Sequence, residues 1–253
     1  YNNYDFQKGS GFYAYVNVDA SENAVVATTN VDANNIRNTT YANVNGKYSI
    51  RGSASTNRKH SLDSLRSIKT GIGVYGNFSQ DVNFNNGLEY KSHNFTLTPN
   101  ANLSFSWQEL FDIRVYYSLG ISKNSFENNI FEDRNYLNHS VKLSTSLYVP
   151  KNFEWKNEID FDYNPDIAPG FQKSAWFWNS TLAYSLLKEQ GTLTLKVYDL
   201  LNQNTNARRT FSENFIQDNQ STVLRQYFML SFSYKFNTLG SKGETGRGSI
   251  YFD

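Results

Sequence analysis

The feature that most constrains the fold is a strict two-residue alternation of apolar and polar side chains, clearest between Tyr227 and Asn237. Successive side chains of a β-strand point to opposite faces, so this run predicts a strand with one apolar and one polar face. Serine, lysine and asparagine occupy most of the polar positions. We expect the apolar set to face lipid, and its members are Phe228, Leu230, Phe232, Tyr234 and Phe236.

Composition excludes several classes of protein. A transmembrane helix needs about 20 mostly apolar residues in succession, and no such run occurs among the 253 residues. Strands that alternate apolar and polar residues pass this test unnoticed. The chain has no cysteine, which removes disulfides and thiol chemistry. A net charge of +1 argues against a broad nucleic-acid patch, so no nucleic-acid partner is expected.

The alternation recurs along the chain and predicts an all-β fold, an antiparallel transmembrane β-barrel. Many of the predicted strands match the roughly 9–11 residues that cross a bilayer. Eleven strands are predicted, at residues 10–18, 23–31, 41–55, 67–79, 91–107, 110–122, 138–149, 152–163, 172–186, 190–201 and 223–237.

Two properties favour a membrane barrel over a soluble sheet, which also alternates when one face is solvated. The apolar faces of strands 110–122, 138–149, 152–163 and 190–201 carry no Asp, Glu, Lys or Arg. An Arg or Lys on a lipid-facing position near the midplane costs about 2–4 kcal/mol. Aromatic residues lie toward strand ends, as interfacial girdles do; these include Trp107, Trp155, Trp176, Tyr163 and Phe236.

The polar faces are predicted to line the lumen of the barrel. The acidic side chains of strand 152–163 could border a ligand path or contact a plug; alternatively, they belong to an ordinary water-filled lumen, balanced by nearby lysines. The predicted lumen-facing residues are Glu154, Lys156, Glu158, Asp160, Asp162, Arg114, Lys142 and Lys196.

The predicted connections alternate in length, as periplasmic turns and extracellular loops do in outer-membrane barrels. The short connections are 19–22, 108–109, 150–151 and 187–189, and the long ones are 32–40, 80–90, 123–137 and 202–221. The link 56–66 is longer than this alternation requires. If the last strand ends in the periplasm, strand 10–18 runs toward the periplasm and residues 1–10 lie outside.

The odd strand count conflicts with the even number found in bacterial single-chain barrels. Two interpretations remain open. Residues 1–237 are the C-terminal part of a larger barrel, followed by a periplasmic tail at 238–253. Alternatively, the Asn45-Gly46 turn signal divides strand 41–55 into a hairpin, which gives twelve strands.

Candidate binding residues lie in the loops. Loop 202–221 holds four side chains that could contact an anionic or aromatic ligand, or could pack only against their own loop; they are Arg208, Arg209, Phe211 and Phe215. Loop 123–137 is rich in oxygen ligands but lacks calcium-loop spacing, so no metal or cofactor is predicted. Trp176 and Trp178 share a face, as a carbohydrate platform or as part of the lipid-interface girdle.

An enzyme is not expected. The chain has three histidines, His60, His93 and His139. Ser140 directly follows His139, so their side chains point to opposite faces of a strand and cannot pair directly. No Gly-x-Ser-x-Gly run is present.

The C-terminal third carries a more specific pattern. The run Leu195-Lys196-Val197-Tyr198-Asp199-Leu200-Leu201-Asn202-Gln203-Asn204 is followed by an arginine-bearing loop and then by the closing run from Arg225 to Asn237. Together these resemble the closing strands of outer-membrane β-barrel proteins related to TonB-dependent receptors. The resemblance covers roughly the last 100 residues of the barrel portion well, and the first 137 in style only.

The resemblance implies a 22-stranded barrel in the outer membrane of a Gram-negative bacterium, closed by a plug domain. It implies ligand uptake driven by energy passed through TonB. The implied partners are outer-membrane lipid, a plug domain with TonB-type coupling, and outer-membrane or surface-lipoprotein subunits. Two alternatives remain: a non-transporting barrel subunit of a secretion or scaffold complex, and a complete small passive pore.

Overall fold

The computed structural model describes residues 1–5, 9–34, 36–129, 131–166, 172–203, 206–211, 216–221 and 225–236, and within them the chain is almost entirely β-strand. A short 3-10 turn at Glu127–Asn129 interrupts the strands. The strands are β1 (Asn2–Asp5), β2 (Ser10–Ser21), β3 (Ala24–Val31), β4 (Arg37–Val44), β5 (Lys47–Ser61), β6 (Arg66–Asn85), β7 (Leu88–Trp107), β8 (Phe111–Phe126), β9 (Arg134–Leu147), β10 (Phe153–Tyr163), β11 (Ser174–Leu186), β12 (Gly191–Tyr198), β13 (Asn206–Phe211), β14 (Ile216–Ser221) and β15 (Tyr227–Tyr234).

Eleven of these strands form one antiparallel sheet, in the order β1-β2-β5-β6-β7-β8-β9-β10-β11-β12-β15. The other four form two separate hairpins, β3–β4 and β13–β14, each inserted between two neighbours of the large sheet. This is the meander of an antiparallel barrel wall, and the predicted all-β barrel class is confirmed. No helix in the described part of the chain is long and apolar enough to span a membrane.

The connections of the large sheet differ between its two ends. At one end, here called the short-turn end, the strands are joined through 6–9, 62–65, 108–110, 148–152 and 187–190. At the other, the long-loop end, they are joined through 22–46, 86–87, 127–133, 164–173 and 199–226. The turn at 86–87 has only two residues. It still projects at the long-loop end because it joins β6 and β7, which are 20 residues long each.

Two predicted connections change length in the structure. The predicted long loop 80–90 is wrong, because β6 and β7 continue to a turn in which Asn86 and Gly87 both have positive φ (48° and 81°), as Asn-Gly hairpin turns require. The anomalous link 56–66 contracts to the turn 62–65, which restores the alternation.

The predicted count of eleven strands is confirmed, but the membership differs. Residues 23–31 were predicted to be a wall strand; instead β3 pairs only with β4 among the described strands. Asn2–Asp5, which was not predicted, takes its place by pairing with β2. The break at Asn45-Gly46 is present, but the predicted hairpin there is wrong, because β5 pairs with β2 and β6 rather than with β4.

The exchange of strands reverses the predicted direction of the first long strand. Ser10 lies at the short-turn end and Ser21 leads into the connection 22–46. Strand 10–18 therefore runs from the short-turn end to the long-loop end, opposite to the prediction, because residues 23–31 are not in the wall and one strand fewer separates 10–18 from the closing strand.

Buried apolar side chains of the described residues lie at the long-loop end. Val26 and Val44 of the β3–β4 hairpin pack on Val82 of β6, which is fully buried. Beyond the same end, Tyr90, Phe126 and Phe131 form an aromatic cluster with ring centroids 5.3–6.4 Å apart. Apart from the β3–β4 hairpin on β6, no second layer packs against the wall in the described part, so the rest of its apolar face needs another apolar phase.

Candidate functional site: the two faces of the sheet

The strand register carries one apolar face across the large sheet from β2 to β15. Residues directly opposite each other in an antiparallel pair lie on the same face. One such row crosses seven strands with large apolar side chains throughout: Leu230, Leu195, Leu182, Trp155, Leu147, Phe111 and Trp107. The alternation seen in separate strands therefore adds up to a continuous surface.

This apolar face is open. Val16 is 71% exposed, Ile72 64% and Leu230 69%. Burying an aliphatic side chain of this size is worth about 1.5–3 kcal/mol, so a face of this extent in water would be strongly unfavourable. Soluble monomers rarely expose contiguous apolar patches above a few hundred Å². The sheet is built for contact with an apolar phase along its strands from β2 to β15.

The closing-strand residues lie on this face. Phe228, Leu230, Phe232 and Tyr234 alternate along β15, and the first three are opposite Val197, Leu195 and Leu193 of β12. Phe236 was predicted to lie in the strand, but β15 ends at Tyr234. The Phe236 ring packs edge-on against Tyr234, with centroids 4.7 Å apart. That these residues face lipid stays a prediction.

The opposite face is polar, and the register places all eight predicted lumen residues on it. Lys142 is opposite Asp160, with Nζ 3.9 Å from Oδ1. Lys156 forms a 2.7 Å ion pair with Glu158. The acidic ladder of β10 is thus partly neutralised by its neighbours. Contact of these eight side chains with lumen water stays a prediction; the eight are Glu154, Lys156, Glu158, Asp160, Asp162, Arg114, Lys142 and Lys196.

A charged recess of about 320 Å³ lies on the polar face of β2, β5 and β6 toward the long-loop end. Arg51 binds Asp19 at 2.9 Å, and Lys47 binds Asp81 at 3.1 Å. Each cation in the recess therefore has its own carboxylate. The recess is electrostatically balanced, which makes it a weak candidate for a charged ligand.

Two tryptophans on the apolar face have their indole N–H groups satisfied within the sheet. The indole N–H of Trp155 donates to Ser180 Oγ at 2.9 Å, and that of Trp178 donates to Asn157 Oδ1 at 3.1 Å. The Trp176 ring packs on Phe161, with centroids 4.5 Å apart. Trp176 and Trp178 share the apolar face, as predicted, and this is the expected place for interfacial aromatics.

The resemblance motif has a structural explanation that sequence reasoning missed. Asp199, just after β12, is 1% exposed and has a positive φ of 49°. Its carboxylate Oδ1 accepts the N–H of Gln203 at 2.9 Å, while its own N–H donates to Asn179 Oδ1 at 3.1 Å. The aspartate of the run Val197-Tyr198-Asp199-Leu200 therefore holds the turn that leaves the wall.

The loop candidates are only partly placed. Arg208, Arg209 and Phe211 lie on β13, in register with Asn219, Asp218 and Ile216 of β14. Phe215 falls outside the described residues. Among the described residues no group of three or more metal-ligating side chains converges. The proposed tail at 238–253 also lies outside the described residues.

A scan against protein families matches the outer membrane protein beta-barrel family over residues 83–234, which is more than half of the chain. The chain belongs to this family. The match begins near the end of β6 and runs through β15. No curated protein and no solved structure matches the chain.

Membership of the outer membrane beta-barrel family places the chain in the outer membrane. The membrane is an apolar phase of the kind that the open face requires. Strands β2, β5 and β6 lie wholly or largely before the matched region but continue the same two faces in register. The wall is therefore one unit across the boundary of the family match.

Proposed function

We propose that this chain is the C-terminal wall of a larger barrel of TonB-dependent receptor type, which takes part in energised uptake of a ligand. Its closing strands carry the motif described above. In this proposal the short-turn end faces the periplasm and the long-loop end faces outward, as in outer-membrane barrels generally. The polar face lines the lumen, with a plug domain supplied by another part of the protein.

The observation that supports a larger barrel is the hydrogen-bond pairing of the two edge strands. Within the described residues, β1 pairs only with β2 and β15 pairs only with β12. The hydrocarbon region offers no hydrogen-bond partners, and each unpaired backbone group costs several kcal/mol there. Additional strands between β15 and β1 would satisfy both edges and close the wall.

Uptake is tested in the source bacterium by nutrient depletion. Deletion of the gene is expected to leave a specific compound in the medium that the wild type consumes. Inactivation of the TonB-type energy system is expected to leave the same compound behind. Depletion that is unchanged by either inactivation would contradict energised uptake.

The same strains separate the two rival functions. A scaffold subunit would leave depletion unchanged, but its deletion would lower the amount of partner proteins in isolated outer membranes. A passive pore would conduct ions steadily in planar bilayers and would need no energy source. A closed, non-conducting whole protein together with energy-dependent depletion supports the receptor-type proposal.

A further inference from the structure

We propose that the polar face binds a multiply charged oxyanion of the phosphate class near the short-turn end, through Lys59, Lys69 and Arg114. The proposal goes beyond uptake: it requires only that the polar face be reached by water and solutes. The site is defined by strand register, unmatched charge and open space between the three cations.

Lys59 and Lys69 are direct cross-strand partners. They face each other in the β5–β6 register on the polar face. Neighbouring strands are about 4.8 Å apart, and like charges directly opposite destabilise a sheet. Both lysines are exposed. An anion between them would convert a repulsive pair into a binding site.

Arg114 extends this pair along the same transverse row. Lys69 is opposite Ser104 of β7, and Ser104 is opposite Arg114 of β8. Lys69 and Arg114 are thus separated by two strand spacings, about 10 Å. The serine between them is small, so it leaves the space above the sheet open, and its hydroxyl is an additional donor.

The three cations lack counter-ions in the described part of the chain, where none of them forms an ion pair. The contrast with the same strand at its other end is sharp, because Lys47 and Arg51 each bind a carboxylate within 3.1 Å. The excess positive charge is therefore local to the short-turn end of the polar face.

The nearest carboxylates on this face each have another partner, although Asp112 keeps its negative charge. Asp112, two residues before Arg114 on β8, accepts a hydrogen bond from the Tyr148 hydroxyl at 3.2 Å. Glu158 lies two strands beyond Arg114, through Ser144, and forms its ion pair with Lys156. Neither carboxylate is within ion-pair distance of the three cations.

The donor set suits a tetrahedral oxyanion. The guanidinium of Arg114 offers a planar fork that matches two phosphate oxygens, and each lysine offers a compact charge with three N–H donors. Hydrogen bonds between ionised partners are about twice as strong as neutral ones. A monovalent anion such as chloride offsets only one of the three positive charges in this row, whereas a phosphate dianion offsets two.

The test uses the whole barrel, including the additional strands proposed above, folded in a non-ionic detergent, with inorganic phosphate as the probe. Calorimetric titration is run at constant ionic strength, with chloride as the balancing anion. Wild type is expected to bind phosphate, and Lys69→Ser is expected to weaken binding about tenfold or more, since a charge-assisted hydrogen bond is lost. Arg114→Lys, which keeps the charge but removes the fork, is expected to give an intermediate loss.

The control is Lys151→Ser, which removes one positive charge from the connection 148–152 at the same end of the sheet. It should bind phosphate like the wild type. Equal weakening by Lys69→Ser and Lys151→Ser would reduce the effect to net charge and overturn the site. Absence of phosphate binding by the wild type would overturn it as well.

A stability measurement distinguishes loss of the site from loss of folding. In phosphate-free buffer at low salt, Lys69→Ser should unfold at the same urea concentration as the wild type or a higher one, because the Lys59–Lys69 repulsion is removed. Phosphate should raise the unfolding midpoint of the wild type but not that of the variant. A midpoint raised equally in both proteins would contradict the proposal. None of these readouts depends on nutrient uptake.

Discussion

Trp178 and Asn157 are joined by a hydrogen bond on the apolar face: the indole Nε1 of Trp178 donates to Oδ1 of Asn157 over 3.1 Å. Asn157 is the polar exception on that face of β10, and it also lies 3.5 Å from Thr145 Oγ1. A polar side chain in a lipid-facing row is tolerated when its neighbours satisfy it.

We expect Asn157→Leu to destabilise the barrel by about 1–2 kcal/mol, because it leaves the Trp178 N–H without its acceptor in an apolar environment. The same substitution made in a Trp178→Phe background should cost much less, since no donor is stranded there. Urea unfolding of the four proteins in lipid vesicles forms a double-mutant cycle. A coupling energy near zero would show that the hydrogen bond does not contribute to stability.

The assignment of the two faces is tested by a matched pair of substitutions on β9. Leu143 lies on the apolar face opposite Val115 and Ile159, whereas Ser144 lies on the polar face opposite Arg114 and Glu158. Leu143→Arg is expected to cost about 2–4 kcal/mol in a bilayer. Ser144→Arg should change the free energy of unfolding little, because repulsion from Arg114 on one side is offset by attraction to Glu158 on the other. Equal costs for the two substitutions would contradict the face assignment.

Gly71 of β6 makes room for a side chain from the next strand. A Cβ added at Gly71 would overlap the amide of Asn102, its partner on β7. Because Asn102 is exposed and can rotate its amide at the cost of a less favourable rotamer, Gly71→Ala is expected to destabilise the sheet by about 0.5–1.5 kcal/mol. At Gly120 the nearest atom to an added Cβ is 3.6 Å away, so Gly120→Ala should be tolerated.

The Gly71 prediction carries its own rescue. Asn102→Ala removes the overlapping amide, so the double variant Gly71→Ala/Asn102→Ala should recover most of the stability lost in Gly71→Ala. Unfolding midpoints in urea measure all four proteins. A double variant as unstable as the sum of the two singles would place the cause elsewhere.

The stability of the turn 62–65 is expected to decrease at acidic pH. Asp63 accepts hydrogen bonds from the backbone N–H groups of Leu65 and Arg66 and from Arg66 Nε, at 2.9, 2.7 and 2.6 Å. The bond from the Arg66 side chain is the largest cause of a pKa for Asp63 below its ordinary range, with the backbone bonds adding to it.

A depressed pKa in the folded state means that the carboxylate stabilises the turn above the unfolded pKa of about 3.9 and loses this effect as pH falls through the folded pKa. Asp63→Asn should therefore be less stable than the wild type at pH 7. The difference should shrink below about pH 4 as the wild-type carboxylate is protonated. Urea unfolding at both pH values tests this, and a gap of constant size would contradict it.

The wall strands could be predicted from the sequence because the two faces of a strand meet different surroundings, and this produces the alternation of apolar and polar residues. The prediction was wrong where an alternating strand packs its apolar face against another part of the protein. Val25, Val26 and their neighbours alternate like a wall strand, but Val26 packs on Val82 instead of entering the sheet. Alternation shows that one face of a strand is apolar and does not show what covers it.

Two other differences have local causes. Asn2–Asp5 is too polar to be recognised as a strand, and its pairing with β2 is supplied by backbone hydrogen bonds rather than by side chains. The like-charge row at Lys59 and Lys69 was not predicted either, because residues ten apart in sequence become partners only once the β5–β6 register is known. The eight lumen candidates, by contrast, needed only the parity of each strand.

The β6–β7 hairpin determines how far this protein would project from the cell surface. Each strand has 20 residues, whereas about 9–11 suffice to cross the bilayer. With the short-turn end in the periplasm, about ten residues of each strand would stand clear of the hydrocarbon, a projection of roughly 30 Å. The β3–β4 hairpin braces one side of this projection through Val82, and the aromatic cluster of Tyr90 braces the other. A rigid hairpin that projects this far is the kind of surface that antibodies and phage tail fibres can bind.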